Sequence, residues 1–225
     1  MTTRVEFAAK NGETVKGDLA LPEGSAKAPA VVVLQEWWGV NDHIRSIATR
    51  LAQAGFLAIA PDLYDGEEVP LTNEARASER MTKLDWGRAV TQIAAAVAYA
   101  KAHPRSTGKV GVTGFCMGGA LSFVSSTQIE GLSAVVPFYG IPPKADYAKV
   151  TAPILTHVAK HDQWVTPEKA EAVKRELESH GKSIELHVYD ADHAFFNDTR
   201  ANVYSAENAK LAWDRTIAFL KKHLA

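Results

Sequence analysis

Short, continuous apolar segments alternate with amphipathic segments along most of this chain. Residues 30–34, 57–61 and 109–113 are typical of strands that are covered on both faces, and residues 132–137, 154–159 and 184–189 predict further strands. Helices are predicted after Asn41 and at residues 85–103, 117–127, 167–180 and 204–223. This alternation predicts an α/β fold, with a mostly parallel sheet and helices on both faces.

Two regions depart from the alternation. Residues 3–8 and 14–21 alternate weakly around the turn signal Asn11-Gly12, which predicts an N-terminal antiparallel hairpin. Residues 64–83 are polar and irregular, contain Gly66 and Pro70, and are expected to form a surface excursion or lid. Because we find no repeat or linker, we expect residues 1–225 to form one domain with a lid at about 64–83.

Composition argues against several classes of function. The 25 lysine and arginine residues are balanced by 26 aspartate and glutamate residues, which argues against a nucleic-acid or membrane partner. One cysteine cannot form an internal disulfide, and the N-terminal residues lack the apolar stretch of a secretory signal. We therefore expect a cytoplasmic protein, monomeric by default, that acts on a small molecule.

The one cysteine lies in Gly114-Phe115-Cys116-Met117-Gly118, between a predicted strand and a predicted helix. A sharp strand-to-helix turn strains its central residue and needs small neighbours, which the two glycines supply. The helix N-terminus favours a thiolate through its free N–H groups and its dipole. These features predict that Cys116 is a nucleophile. The alternative is a structural cysteine, since free cysteines are often buried.

A nucleophilic cysteine needs a histidine to manage its proton and a carboxylate to orient that histidine. Of the eight histidines, His161 and His193 lie just beyond predicted strands, in the region where parallel sheets bind ligands. The chain order nucleophile, acid, histidine is that of α/β-hydrolases, and it selects Cys116, Asp162 and His193. Asp192 is the rival for the acid, although adjacent side chains in an extended segment point apart.

Two other interpretations of this region fit the sequence less well. His157 and His161 have the spacing of a zinc-binding pair on a helix, but they lie in a predicted strand and loop and the chain has no second thiol. We therefore expect no metal and no other cofactor. Asp162 could instead cap the following helix, but Thr166 before Pro167 suits that position better.

With these residues in place, the chain resembles the dienelactone hydrolase family of α/β-hydrolases over about residues 17–224. The resemblance rests on Gln35-Glu36-Trp37-Trp38-Gly39, Pro61-Asp62-Leu63-Tyr64, Gly114-Phe115-Cys116-Met117-Gly118-Gly119, Lys160-His161-Asp162 and Asp192-His193-Ala194-Phe195. It implies the α/β-hydrolase fold and hydrolysis of a lactone or ester, as in conversion of a dienelactone to maleylacetate. The alternatives are a carboxylesterase or thioesterase with another acyl substrate, and a non-catalytic receptor or redox sensor.

The resemblance also implies roles for residues around the triad. Glu36 corresponds to a family glutamate that touches the resting thiol, where its charge disfavours the thiolate until substrate arrives. The backbone N–H groups of Met117 and Trp37 would form the oxyanion hole. Family members hold the substrate carboxylate with two arginines, but Asn197 stands at one of these positions. The candidate substrate contacts are Trp38, Arg76, Arg80, Phe195, Asn197 and Arg200.

Overall fold

A computed structural model describes the whole chain, Met1–Ala225, and contains one eight-stranded sheet. The strands are β1 Thr3–Ala8, β2 Thr14–Ala20, β3 Ala28–Leu34, β4 Leu57–Pro61, β5 Ser106–Phe115, β6 Ala134–Phe138, β7 Ile154–Ala159 and β8 Ile184–Tyr189. The helices are α1 Asp42–Gln53, α2 Glu74–Thr82, α3 Trp86–Ala102, α4 Met117–Gln128, α5 Pro167–Ser179 and α6 Ala206–Leu224, with a 3-10 turn at Tyr147–Lys149.

The order of the strands places the crevice where ligands bind in such sheets. The order is β1-β2-β4-β3-β5-β6-β7-β8, with antiparallel pairing only among β1, β2 and β4. This arrangement confirms the predicted hairpin and the α/β-hydrolase fold. From β3 the chain moves outward to β4 and then returns to β5 on the other side of β3. The carboxyl ends of β3 and β5 therefore flank a topological switch point.

The sheet separates two apolar cores. Side chains of α3, α4 and α5 pack in the first core, and side chains of α1 and α6 pack in the second. Within β3, Val32 and Leu34 face the first core, whereas Val31 and Val33 face the second. Because a strand covered on both faces buries every side chain, the continuous apolar pattern in the sequence has a direct structural cause.

Helix α2 lies in the segment that the sequence predicts to be irregular. Asn73 caps it, because the Asn73 side chain accepts a hydrogen bond from the N–H of Arg76. The one buried residue of the helix is Ala77, and the helix is short and rich in charged residues, so few apolar side chains signal it in the sequence. None of the six helices combines the length and the apolar character that crossing a membrane requires.

Candidate active site

Cys116 lies at a strained turn between β5 and α4. Its backbone angles are φ 53° and ψ −114°, a conformation that residues with a side chain rarely adopt. The neighbouring glycines make this turn possible. A Cβ on Gly114 would overlap the backbone of Gly118, and a Cβ on Gly118 would overlap the carbonyl oxygen of Leu34 at the end of β3. The turn is thus packed directly against the adjacent strand, and the Cys116 residue stays partly exposed.

The two predicted oxyanion-hole residues lie on either side of this switch point. Met117 directly follows Cys116 and is the first residue of α4, where the first N–H groups have no acceptor within the helix. Trp37 lies in the turn after β3, which is closed by a hydrogen bond of 3.3 Å from the N–H of Gly39 to the carbonyl of Glu36. Their role as N–H donors to a substrate oxygen stays a prediction.

His193 and Asp162 form a short ion pair at the carboxyl ends of β7 and β8. The His193 Nδ1 lies 2.6 Å from Asp162 Oδ2. The other carboxylate oxygen of Asp162 accepts hydrogen bonds from the N–H groups of Trp164 and Val165, at 2.8 and 2.9 Å. Burial alone would raise the pKa of Asp162, but these partners, His193 foremost, hold it below its usual value. Asp162 is therefore a fixed anion that orients the imidazole.

The imidazole of His193 is strongly basic in this setting. Burial lowers the pKa of His193, but the hydrogen bonds and the charges of Asp162 and Cys116 outweigh burial and raise it to about 10. Asp162 and Cys116 therefore both favour the charged form of the imidazole.

Removing the sulfur is expected to lower the pKa of His193. In Cys116→Ala the carboxylate of Asp162 remains, but the second group that favours the imidazolium is gone. An NMR titration of the histidine ring signals in both proteins measures this change, with the other histidine rings as internal references. An unchanged titration of His193 would show that the two groups are not coupled.

The rival residues lie elsewhere. Asp192 is exposed, and it is Asp162 that reaches His193. His161 is paired with Asp190 at 2.8 Å on the surface. Thr166, whose side chain accepts from the N–H of Lys169, caps α5, so the alternative role of Asp162 as that cap is wrong.

His157 is a buried structural residue. Its two ring nitrogens lie 2.8 Å from the Tyr189 hydroxyl and 2.9 Å from the Thr216 hydroxyl. Burial, above all, holds the pKa of His157 well below its usual value, so the ring stays neutral. No group of three or more histidine, cysteine, aspartate or glutamate side chains is placed to hold a metal ion.

Glu36 lies just beyond the end of β3 and is only 2% exposed. One of its oxygens accepts a hydrogen bond from the Tyr139 hydroxyl at 3.3 Å, and the other accepts from Asn197 Nδ2 at 2.6 Å. Both donors are uncharged. Tyr139 and Asn197, which are distant from Glu36 in the sequence, thus both donate to its carboxylate.

Comparison with known proteins identifies the family of this chain. The model of the dienelactone hydrolase family matches residues 15–224. The chain belongs to the dienelactone hydrolase family. It is 36% identical over 238 residues to the protein usf of Aquifex pyrophilus, which it matches over the full length of both chains. It is 32% identical over 235 residues to a carboxymethylenebutenolidase of a Pseudomonas species, covering 99% of this chain and 96% of the relative.

A solved structure extends the likeness to three dimensions. The crystal structure of a Klebsiella pneumoniae protein assigned as a dienelactone hydrolase superposes with a TM-score of 0.87 at 28% identity, covering 99% of each chain. The resemblance predicted from the sequence is therefore confirmed, and with it the class of lactone and ester hydrolases.

The arginines of this dienelactone hydrolase family member differ in how far they are already paired. Arg76 and Arg80 both bind Glu67, with Nε–Oε distances of 2.6 and 3.0 Å. Arg200 lies over the Trp38 ring, 5.8 Å from its centroid, and has one ion pair, with Glu74 at 4.0 Å. Among the three candidate cations, Arg200 is therefore the least neutralised.

Three of the predicted substrate contacts are almost fully enclosed. Phe195 and Asn197 have no exposed surface, and Trp38 is 1% exposed. Phe195 packs on the rings of Tyr139 and Tyr189, with centroids 5.6 and 5.0 Å apart. Asn197 contacts Glu36 instead of the open crevice. In this conformation these three side chains offer almost no surface to a substrate.

Sequence reasoning missed two residues beside His193. Trp164 is 66% exposed, and its ring stands edge-on to the imidazole with centroids 4.9 Å apart. Tyr139 is buried, has φ 35° and packs edge-on to the same imidazole at 5.1 Å. A signal for Tyr139 was present, because it lies just beyond the predicted strand at 132–137, as the other site residues lie just beyond predicted strands. Trp164 lies two residues beyond the predicted acid.

Proposed function

We propose that this protein hydrolyses a lactone or ester through a covalent thioester on Cys116. The proposal is carried by the strained, partly exposed Cys116 at the start of a helix, together with a His193 that Asp162 orients at 2.6 Å. Membership of the dienelactone hydrolase family supports the same class of reaction.

In the first half of the reaction, the Glu36 carboxylate accepts the thiol proton of Cys116 when substrate binds. The resulting thiolate attacks the carbonyl carbon, and the carbonyl electron pair moves to the oxygen. The N–H groups of Met117 and Trp37 stabilise that oxyanion. When the carbonyl re-forms, the bond to the alkoxy oxygen breaks, and the imidazolium of His193 protonates the leaving oxygen. With a lactone, the leaving oxygen stays attached to the acyl group as a free hydroxyl.

In the second half, the now neutral His193 takes a proton from water, and the oxygen of that water attacks the thioester carbonyl. The thiolate leaves and takes its proton back from Glu36, and the acid is released. His193 keeps the proton that it took from water, so the imidazolium is restored. The electrostatics suit this order of events. An acylated sulfur carries no charge, so one cause of the raised pKa of His193 disappears when a base is needed.

The surroundings favour a substrate with an anionic group and an apolar part. We propose Arg200 as the partner of the anionic group, because its existing ion pair with Glu74 is long, at 4.0 Å. The exposed indole of Trp164 offers an apolar face beside His193. A dienelactone, which the family name indicates, is the first substrate to test. Comparing lactones with linear esters of equal size separates this proposal from a carboxylesterase.

Trapping the intermediate tests the proposal. The enzyme is mixed with an activated ester such as p-nitrophenyl acetate, quenched in acid and analysed by mass spectrometry. We expect one acyl group on the peptide that contains Cys116, many turnovers per protein molecule, and neither adduct nor turnover in Cys116→Ala. An acyl group on another residue, or full activity of the variant, would refute the thioester. Binding without repeated turnover would instead indicate a receptor or sensor.

A further inference from the structure

The carboxylate of Glu36 is buried without a cation among its hydrogen-bond partners. It is 2% exposed, and the donors to its two oxygens are the hydroxyl of Tyr139 and the amide of Asn197. A buried carboxylate is costly unless hydrogen bonds compensate for the water it has lost. The position of Glu36 therefore depends on these two neutral donors.

Asn197 is held so that only its amide nitrogen can face Glu36. The Asn197 Oδ1 accepts hydrogen bonds from the N–H of Thr199 at 3.1 Å and from the Thr199 hydroxyl at 2.6 Å. Because two donors of Thr199 face this atom of the amide, it must be the oxygen and not the nitrogen. The Nδ2 group therefore points to the Glu36 carboxylate, at 2.6 Å. Asn197 itself has no exposed surface. The amide is thus a rigid donor set by its own loop.

Tyr139 connects Glu36 to the proposed catalytic groups. Burial foremost, together with the charges of Glu36 and Cys116, holds the pKa of Tyr139 well above its usual value, whereas Arg200 lowers it. The hydroxyl therefore stays protonated and donates. The ring of Tyr139 also packs against His193. The carbonyl of Phe138, the residue before Tyr139, accepts a hydrogen bond of 3.0 Å from the N–H of Cys116.

The backbone of Tyr139 supports a functional interpretation. Its φ of 35° lies in the left-handed region, which is unfavourable for a bulky aromatic residue. Such strain persists where the surrounding structure fixes it, and it is concentrated at functional sites. Strain, complete burial and two contacts to site residues thus coincide at one side chain.

We propose that Asn197 and Tyr139 are positioning residues that together hold the Glu36 carboxylate beside Cys116. We name the three side chains Glu36, Tyr139 and Asn197 the Glu36 clamp. This inference rests on the proposed function, because it assigns the clamp a role in the Cys116 site. It predicts that changes to either donor act on turnover through Glu36 and not through substrate binding.

The test compares Asn197→Asp and Tyr139→Phe, each in the wild-type protein and in Glu36→Gln. Asn197→Asp places a second carboxylate against Glu36, and two adjacent carboxylates do not both ionise readily. We expect its kcat for a neutral activated ester to fall with rising pH in a new ionisation step. Tyr139→Phe should lower kcat by roughly tenfold, the effect of one hydrogen bond to a charged group. KM should change little in both.

The Glu36→Gln background separates positioning from a general structural role. We expect the new ionisation of Asn197→Asp to disappear there and Tyr139→Phe to cause no further loss, because both act through the carboxylate. Asn208→Asp is the matched control, because it makes the same chemical change at another asparagine. The Asn208 amide donates hydrogen bonds to the Asp190 carbonyl and to the Ser205 hydroxyl. This variant should leave kcat and its pH profile unchanged.

Several outcomes would overturn the clamp. If Asn197→Asp or Tyr139→Phe lowers kcat equally in the wild-type protein and in Glu36→Gln, its role is merely structural. The same conclusion follows if these variants change KM and leave kcat unchanged. If Asn197→Asp does not fold, the effect of Tyr139→Phe on kcat, compared between the wild-type protein and Glu36→Gln, tests the clamp by itself. Failure of the proposed function is seen separately, since full activity of Cys116→Ala would refute the thioester whatever the clamp variants do.

Discussion

Cys116→Ala and His193→Ala should each lower kcat/KM for lactone or ester hydrolysis by on the order of 10⁴-fold or more. Without the sulfur no thioester forms, and without the imidazole neither the leaving oxygen nor the attacking water has a proton-transfer partner. Because the two residues act as one unit, the double variant should be no slower than the slower single variant. Initial rates with an activated ester and with a lactone, at equal protein concentration, measure these effects.

His161→Ala is the matched control for this experiment. His161 also follows a strand and pairs with an aspartate, Asp190, at 2.8 Å, but both side chains of this pair are exposed on the surface. Its loss should change kcat/KM by less than about twofold, because exposed ion pairs contribute little. Circular dichroism establishes that all four proteins are folded. Strictly additive losses in the double variant would mean that Cys116 and His193 act independently, contrary to the mechanism.

The sequence predicts those parts of the molecule whose cause is local. A strand such as β3 is visible because both of its faces are buried, which removes every polar residue from it. The turn at Cys116 is visible because its steric constraints demand glycines at fixed positions. Asp162 and His193 are visible because parallel strands deliver their carboxyl ends to one edge of the sheet.

Other features depend on contacts that no local pattern encodes. Helix α2 buries only Ala77 and is rich in charged residues, so its sequence lacks the apolar residues that predict a helix face packed on the core. Asn197 and Glu36 are 161 positions apart, and only the fold shows that their side chains meet at 2.6 Å. The prediction of Asn197 as a substrate contact came from a family position. The Thr199 contacts and complete burial turn that side chain toward Glu36.

Gly118→Ala should destabilise the protein by about 3 kcal/mol or more, the upper range for overpacking. An added Cβ would overlap the Leu34 carbonyl and lie 2.6 Å from the Gln35 carbonyl oxygen. Both obstacles are backbone atoms at the end of β3, a central strand paired with β4 and β5, so they cannot move aside as a flexible side chain could. The free energy of unfolding from urea titrations measures the change.

Gly87→Ala is the matched control for this prediction. Gly87 lies in the first turn of α3, and its added Cβ would meet only the Asp85 side chain, at 3.3 Å. Alanine there should be neutral or stabilising by up to about 1 kcal/mol, since glycine is the poorer helix former. The difference in the free energy of unfolding between Gly118→Ala and Gly87→Ala therefore reports the clash with β3, separated from the general effect of replacing a glycine. If both variants unfold at the same urea concentration, α4 is not packed against β3 as tightly as described, and the strained geometry of Cys116 loses its support. If Gly118→Ala alone unfolds early, the glycine two residues after Cys116 is required for the fold as well as for the turn at Cys116.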